Sequence, residues 1–212
     1  MYLSRVVIDT NNRQKIQDLS QLGAYHSWVE NSFPEEIKIH TRSRKLWRVD
    51  SLNNKKYLLI VSEKKPNKNN LEKYGIKGTI NTINYDNFLN KLSNDMTARF
   101  KMVLNPAYSK STGKSSGKRG KVLQCLSYED QMRYLESRSL KNGFELIDSN
   151  YTVTHKTWEV LKKSGKEACY IQKVCYEGRL VIKDIDIFKN LLCNGLGRKK
   201  AYGCGLITII PE

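Results

Sequence analysis

The sequence has no run of about 18 apolar residues, the length a helix needs to cross a bilayer, so no membrane span is expected. Its start, Met1-Tyr-Leu-Ser-Arg-Val-Val-Ile-Asp9, lacks a basic segment followed by a long apolar core, so no secretory signal is expected. The five cysteines (Cys125, Cys169, Cys175, Cys193 and Cys204) are odd in number and include no C-x-x-C pair. Both facts argue against a disulfide framework and a zinc site, and the thiols read as reduced, cytosolic and packed as small apolar groups. Histidine is scarce as well. The three present, His26, His40 and His155, form no H-x-x-x-H or H-E-x-x-H spacing, so metal-assisted hydrolysis has no support and neither metal nor cofactor is expected. Two phosphate signatures also fail. Gly113-Lys114-Ser115 resembles the end of a P-loop, but Tyr108 stands where its first glycine belongs. In the run 195–205, Lys200 occupies the last glycine of G-x-G-x-x-G. An NTPase or a dinucleotide enzyme is therefore disfavoured.

Acidic charge is in short supply. Across 212 residues, 21 Asp+Glu face 37 Lys+Arg, a formal net charge of +16. Such an excess favours a polyanionic partner, nucleic acid first and an acidic membrane surface second. With 39% hydrophobic and 27% charged residues the balance is globular, and the length suits one large domain or two of about 100 residues. The positive charge falls in three places. Between Met96 and Tyr128 there is no acidic residue, while Arg99, Lys101, Lys110, Lys114, Lys118, Arg119 and Lys121 are interspersed with glycine and serine. That composition suits a clamp on a phosphate backbone. Lys162, Lys163 and Lys166 sit at an expected hairpin tip, and Arg198, Lys199 and Lys200 lie in Gly195-Leu-Gly-Arg-Lys-Lys-Ala-Tyr-Gly-Cys-Gly205. Tyr202 of that run is read two ways, as a platform for a base or as a core side chain.

Periodicity gives an element order. Residues 2–8 read as a strand, 15–32 as one helix stopped by Pro34, and 45–52 with 56–62 as a hairpin about Asn53-Asn54. A loop at 63–70, a strand at 78–85 and a short helix at 88–92 follow. The second half reads as a strand at 98–104, a basic loop to about 120 and a helix from Ser127 to about 140. Strands near 146–154, 158–161, 169–176 and 179–182 come next, then a helix capped by Asp184 and a last strand at 206–210. Two such β-α-β-β-like halves suggest an α+β protein of two tandem ferredoxin-like (RRM-like, βαββαβ) domains, 1–92 and 97–212.

A nuclease for RNA needs no metal, because the 2′-OH is a built-in nucleophile. Held in line, it attacks the scissile phosphate to give a 2′,3′-cyclic phosphate and a 5′-OH. The protein then has to position the substrate, move protons and stabilise the phosphorane. One histidine suffices for the proton, and His26, in Gly23-Ala-Tyr-His-Ser-Trp28, is the first candidate.

Several stretches carry a family resemblance. Met1–Ile8, Asp18-Leu19 followed by His26, Phe33-Pro34, Phe100-Lys-Met-Val-Leu-Asn-Pro106 with Gly117-Lys118-Arg119, Tyr176-Glu-Gly-Arg-Leu180 and Gly195–Ile207 occur in order along the chain. Together they resemble the CasE family of pre-crRNA endoribonucleases of type I-E CRISPR. The resemblance implies tandem ferredoxin-like domains and metal-independent cleavage at the 3′ base of a repeat stem-loop. It also implies retention of the product within the Cascade complex, so the implied partners are the repeat RNA hairpin and other Cascade subunits, in the cytoplasm and away from membranes. The family's general acid/base histidine falls on His26, and the stem-gripping regions fall on 110–121 and 162–166. Gly23 stands where some members carry tyrosine. Tyr25 is nearby, about 100° around the helix from His26, and is carried as a second catalytic candidate. Arg198-Lys199 replaces the Pro-Gly of some relatives. The rival reading is a double RRM-like module that holds an RNA hairpin without cutting it.

Overall fold

In a computed structural model, which describes residues 1–110, 120–162, 165 and 167–212, the β-rich segments pair into two four-stranded antiparallel sheets. The first contains β1 (Tyr2–Val7), β2 (Lys45–Leu52), β3 (Lys55–Ser62) and β4 (Asn81–Asn84) in the order β2-β3-β1-β4. Helices α1 (Arg13–Asp18), α2 (Leu22–Asn31) and α3 (Pro34–Lys38) connect β1 to β2, α4 (Lys68–Leu71) connects β3 to β4, and α5 (Asp86–Leu89) follows. The second sheet begins with β5 (Thr97–Leu104). A two-stranded ribbon of β6 (Ala107–Lys110) and β7 (Lys121–Gln124) then precedes α6 (Tyr128–Ser139). Long β8 (Phe144–Leu161) and β9 (Cys169–Ile182), α7 (Ile185–Asn194) and β10 (Ile207–Pro211) complete it in the order β10-β5-β9-β8. Numbered within its own half, each sheet runs 4-1-3-2 with helices after its first and third strands. That is the ferredoxin-like order, present twice.

The departures from expectation have local causes. The single helix expected over 15–32 is broken at Gln21, which is extended (φ −144°, ψ 158°). The break lets Leu19 and Leu22 both enter one core. Pro34, expected only to stop a helix, opens α3 at its first turn, where a missing N–H costs nothing. The segments 146–154 and 158–161 are one strand, β8, and 169–176 and 179–182 are one strand, β9. Register shifts between Leu146/Tyr151 and Val153/His155 absorb the polar interruptions that read as strand ends. The turn at Asn53-Asn54 is as expected, with both residues left-handed (φ 50° and 58°), as a tight hairpin turn requires.

The two sheets are tied by side chains that cross between them. Arg48 of β2 is 2% exposed. It donates to both carboxylate oxygens of Asp50 (2.8 Å each), to the carbonyls of Lys101 (2.8 Å) and Leu206 (3.2 Å), and to Thr208 Oγ1 (2.8 Å). Leu46 and Val61 of the first sheet join the core of the second half, whereas Leu161 and Ile171 of β8 and β9 join the core beneath α2. Among the described residues no helix is long and apolar enough to cross a membrane.

Candidate active site

The inward face of α2 is set by Leu22, Trp28 and Val29, all buried. Trp28 is pinned further by donating its indole N–H to the Leu71 carbonyl at 3.2 Å. With that face turned in, His26 and Glu30, one turn apart, share the rim of the helix. The His26 side chain is 24% exposed, enough for an atom of a ligand to reach it.

Three charged groups surround the imidazole: Arg42, Glu30 and Lys45. Arg42 Nη2 lies 2.9 Å from His26 Nε2. The same guanidinium bonds Glu30, through Nε to Oε2 at 3.2 Å and Nη2 to Oε1 at 3.1 Å. Lys45, the first residue of β2, has a side chain only 1% exposed. Its Nζ contacts Glu36 Oε2 at 2.6 Å and Glu30 Oε2 at 3.5 Å, and sits 4.9 Å from the centre of the Phe33 ring. Arginine keeps its protons and has no acceptor, so the nitrogen it donates to must carry a lone pair. Neutral His26 therefore holds its proton on Nδ1, which faces Glu30 Oε1 at 3.9 Å, and presents Nε2 as the base. Burial pushes the imidazole pKa down most; Glu30 pushes it up, Arg42 and Lys45 push it down, and the Ala201 carbonyl pushes it up. The net shift is below the ordinary value, which favours the neutral imidazole.

The glycine-rich segment closes the other side. The ring of Tyr202 meets His26 edge-on at 5.6 Å, and the Ala201 carbonyl accepts from the Trp47 indole at 3.2 Å. Gly203 is left-handed (φ +80°), and a Cβ there would fall 2.8 Å from Trp47 and 3.0 Å from Lys173 Nζ. Glycine is thus needed for both the turn and the close approach. Of the two readings of Tyr202, the core one fits: the half-buried ring packs against the core beneath α2, with its contact to His26 at the rim of the site. Tyr25 stacks on Trp47 (5.7 Å, 18°) instead of joining His26. Burial, with Glu159, pushes its phenol up from its ordinary value, which suits a packed ring better than a proton donor.

The basic residues singled out by sequence scatter. Lys110 and Lys121 are exposed and directly opposite at the described end of the β6–β7 ribbon. Lys162 is exposed, and its backbone N–H donates to Gln21 Oε1 at 3.0 Å, so the end of β8 abuts the start of the helix that carries His26. Arg198 and Lys199 are exposed, and half-buried Lys200 donates to the Asn194 carbonyl at 2.7 Å. Arg99 and Lys101 instead meet carboxylates: Arg99 bonds Glu212 at 3.3 Å, and Lys101 lies 2.9 Å from Glu177 and 4.0 Å from Asp50. Lys101 lines a cleft of ≈ 540 Å³ between the two sheets, with Tyr25, Trp47 and Lys173. Lys114, Lys118, Arg119, Lys163 and Lys166 lie outside the described residues.

A profile of the family described as CRISPR associated protein matches residues 1–211. The chain belongs to that family. It is 25% identical to the CRISPR-associated endoribonuclease Cse3 of Thermus thermophilus, with 100% of each chain covered. Over 49 residues, 23% of each chain, it is 45% identical to the CRISPR system Cascade subunit CasE of Escherichia coli. A solved structure of CRISPR endoribonuclease Cse3 bound to 19 nt RNA superposes with a TM-score of 0.80 at 22% identity, covering 99% of both chains.

For a CRISPR associated protein of this sequence, the reading of residues alone missed Glu30, Arg42 and Lys45. One signal was present: Arg42-Ser-Arg-Lys45 is a basic cluster as dense as the three recognised. Nothing in one dimension connected it to His26, sixteen residues earlier.

Proposed function

We propose that this chain is a metal-independent, site-specific endoribonuclease. It binds the stem-loop of a CRISPR repeat RNA, cuts at the 3′ base of the stem and keeps the product as a subunit of a Cascade complex in the cytoplasm. The observation that carries this reading is the partly exposed His26 imidazole, with Nε2 against Arg42 and Nδ1 toward Glu30, beside buried Lys45. Support also comes from the family, from the endoribonuclease name of the full-length relative and from the RNA held by the similar structure. The Escherichia coli relative's name points to Cascade subunits as partners.

In the reaction, His26 Nε2 takes the proton of the 2′-OH and the 2′-oxygen forms its bond to phosphorus. The P–O5′ bond breaks, and the 5′-oxygen leaves with a proton from the imidazolium or from water. The products are a 2′,3′-cyclic phosphate and a 5′-OH. We place the histidine in a unit of residues 1–92 and the grip in a unit of residues 97–212, where Lys110, Lys121, Lys162, Arg198, Lys199 and Lys200 contact phosphates. Arg99 and Lys101, already bonded to carboxylates, contribute less. The ring of Tyr25 supports Trp47 and moves no proton.

The test is cleavage of a labelled repeat hairpin in EDTA, beside the same RNA with one 2′-deoxy nucleotide just 5′ of the cut. Cleavage of the first and not the second upholds the reading. Tight binding with no cleavage at any protein concentration would make the chain a binding module.

A further inference from the structure

Among the described residues, Arg42 is the one cation beside His26 that a ligand can reach. Its side chain is 61% exposed, whereas that of Lys45 is 1% exposed and already engaged by Glu36. Its backbone, however, is held on both sides. Buried Glu36 accepts from the Ser43 N–H (3.1 Å), the Ser43 hydroxyl (2.5 Å) and Lys45 Nζ (2.6 Å), and its own carbonyl accepts from the Thr41 N–H at 3.0 Å. A fixed base thus carries an exposed guanidinium over the proton-accepting nitrogen. That position is odd for an ordinary surface ion pair. Glu30 alone would satisfy the charge, yet Nη2 also occupies the His26 lone pair and so blocks the group that must act as base.

We propose that Arg42 is a catalytic residue that exchanges the His26 imidazole for the scissile phosphate when RNA binds. This rests on the endoribonuclease reading above. A phosphate offers two oxygens to the planar guanidinium and competes well with one carboxylate, which is 25% exposed, and a neutral imidazole. As Arg42 swings onto the non-bridging oxygens, Nε2 is uncovered for the 2′-OH. Glu30, relieved of Arg42 and left with Lys45 at 3.5 Å, faces Nδ1–H and stabilises the imidazolium as the proton arrives. The 2′-oxygen then bonds phosphorus, the P–O5′ bond breaks, and the negative charge that builds on the phosphorane falls on the guanidinium. The RNA itself opens the base, so His26 is masked until a phosphate is seated.

The test compares wild type, Arg42→Ala and Arg42→Lys, with His26→Ala as the inactive reference. Cleavage of the repeat hairpin is followed at saturating protein in EDTA from about pH 5 to about pH 9, the range in which a histidine titrates. Affinity is measured separately with the 2′-deoxy RNA. Arg42→Ala is expected to cut about 10²- to 10³-fold more slowly, as when one donor to a developing oxyanion is lost. Its affinity should fall by no more than about fivefold, the size of one exposed ion pair. Arg42→Lys should recover part of the rate. The groups facing His26 are Glu30 on α2, Arg42 and Lys45 from the approach to β2, and Tyr202 with the Ala201 carbonyl from the glycine-rich segment. Removing Arg42 removes a cation and leaves Glu30 with Lys45 alone, at 3.5 Å. Both changes raise the imidazole pKa, so the acid limb of the pH–rate profile should move to higher pH. A sulfur replacing one non-bridging oxygen of the scissile phosphate should slow wild type and leave Arg42→Ala unaffected. If Arg42→Ala cuts at the wild-type rate with an unchanged limb while His26→Ala is inactive, Arg42 is a surface ion pair and this proposal falls alone. A loss confined to affinity makes Arg42 a grip residue and also overturns it. A wild type that binds and never cuts overturns both this proposal and the endoribonuclease reading.

Discussion

The cations near His26 and those on the β6–β7 ribbon have the same sign and are held in opposite ways. Around the histidine, Arg42 and Lys45 are locked by Glu30 and Glu36 at 2.6 to 3.5 Å, and Lys45 is buried. On the ribbon, Lys110 and Lys121 face each other across two strands, and neither has a carboxylate partner among the described residues. Like charges directly opposite destabilise a strand pair, so the ribbon is at its most strained without a polyanion. Under the proposed function the difference fits two tasks. Proton transfer needs charges ordered around one imidazole until RNA binds, and counter-charges supply that order. A grip needs charges that a phosphate backbone can collect, and counter-charges would only compete with it.

The sharpest way to separate the two regions is to remove the histidine. His26→Ala should lower the cleavage rate by about 10³-fold, within the usual range for a general acid or base, with affinity for the hairpin preserved. A variant that loses binding in the same proportion would merge the two regions into one.

Next in size is the lock itself. Glu36→Gln leaves buried Lys45 with the Ser43 carbonyl at 3.3 Å and one carboxylate, Glu30, at 3.5 Å, and should cost about 3 kcal/mol in unfolding free energy. Burial alone would raise the Glu36 carboxyl pKa; the bonds from Lys45 and Ser43 outweigh it and hold the carboxyl below its ordinary value. The contribution is therefore present above the ordinary glutamate pKa and is lost as pH falls through the lower folded value. Wild type should lose stability there and Glu36→Gln should not, as denaturant melts across an acid series would record. The ribbon should give the opposite pattern. Replacing Lys110 and Lys121 together by glutamate should weaken RNA binding and flatten the log affinity against log salt slope by about 2, roughly 0.9 per phosphate contact. Melting and the cleavage rate at saturation should hold. The smallest effect is expected for Tyr25→Phe, which keeps the ring on Trp47; a rate within about twofold of wild type fits a ring that transfers no proton, because a general acid or base is worth far more.

Much of the scaffold is legible in the sequence. The alternating segments of the first sheet, the Asn53-Asn54 turn, the Ser127 and Asp184 caps and the repeated element order all arise from local rules of periodicity and backbone preference. Local rules failed where tertiary packing overrode them: at Gln21, where two leucines needed the same core, and along β8 and β9, where pairing across bulges outweighed polar interruptions. His26 was legible as a candidate because histidine is rare and a 2′-OH needs one base. Its surroundings were not, because Arg42 and Ala201 come from distant segments of the chain and meet it only after α2 and the glycine-rich turn dock on Trp47.

By itself the sequence determined the net charge, the lack of metal-ligand spacing, the two β-α-β-β halves and the glycines that permit a left-handed turn beside a tryptophan. These are properties of composition and short-range order. Only the tertiary structure decided which nitrogen of His26 carries the lone pair, which basic residues are paired with carboxylates and which are presented, and that Tyr25 packs beside Trp47. Those outcomes depend on distances of a few ångströms between segments far apart in sequence. Electrostatic and hydrogen-bond energies change steeply over such distances, and residue order alone does not specify them.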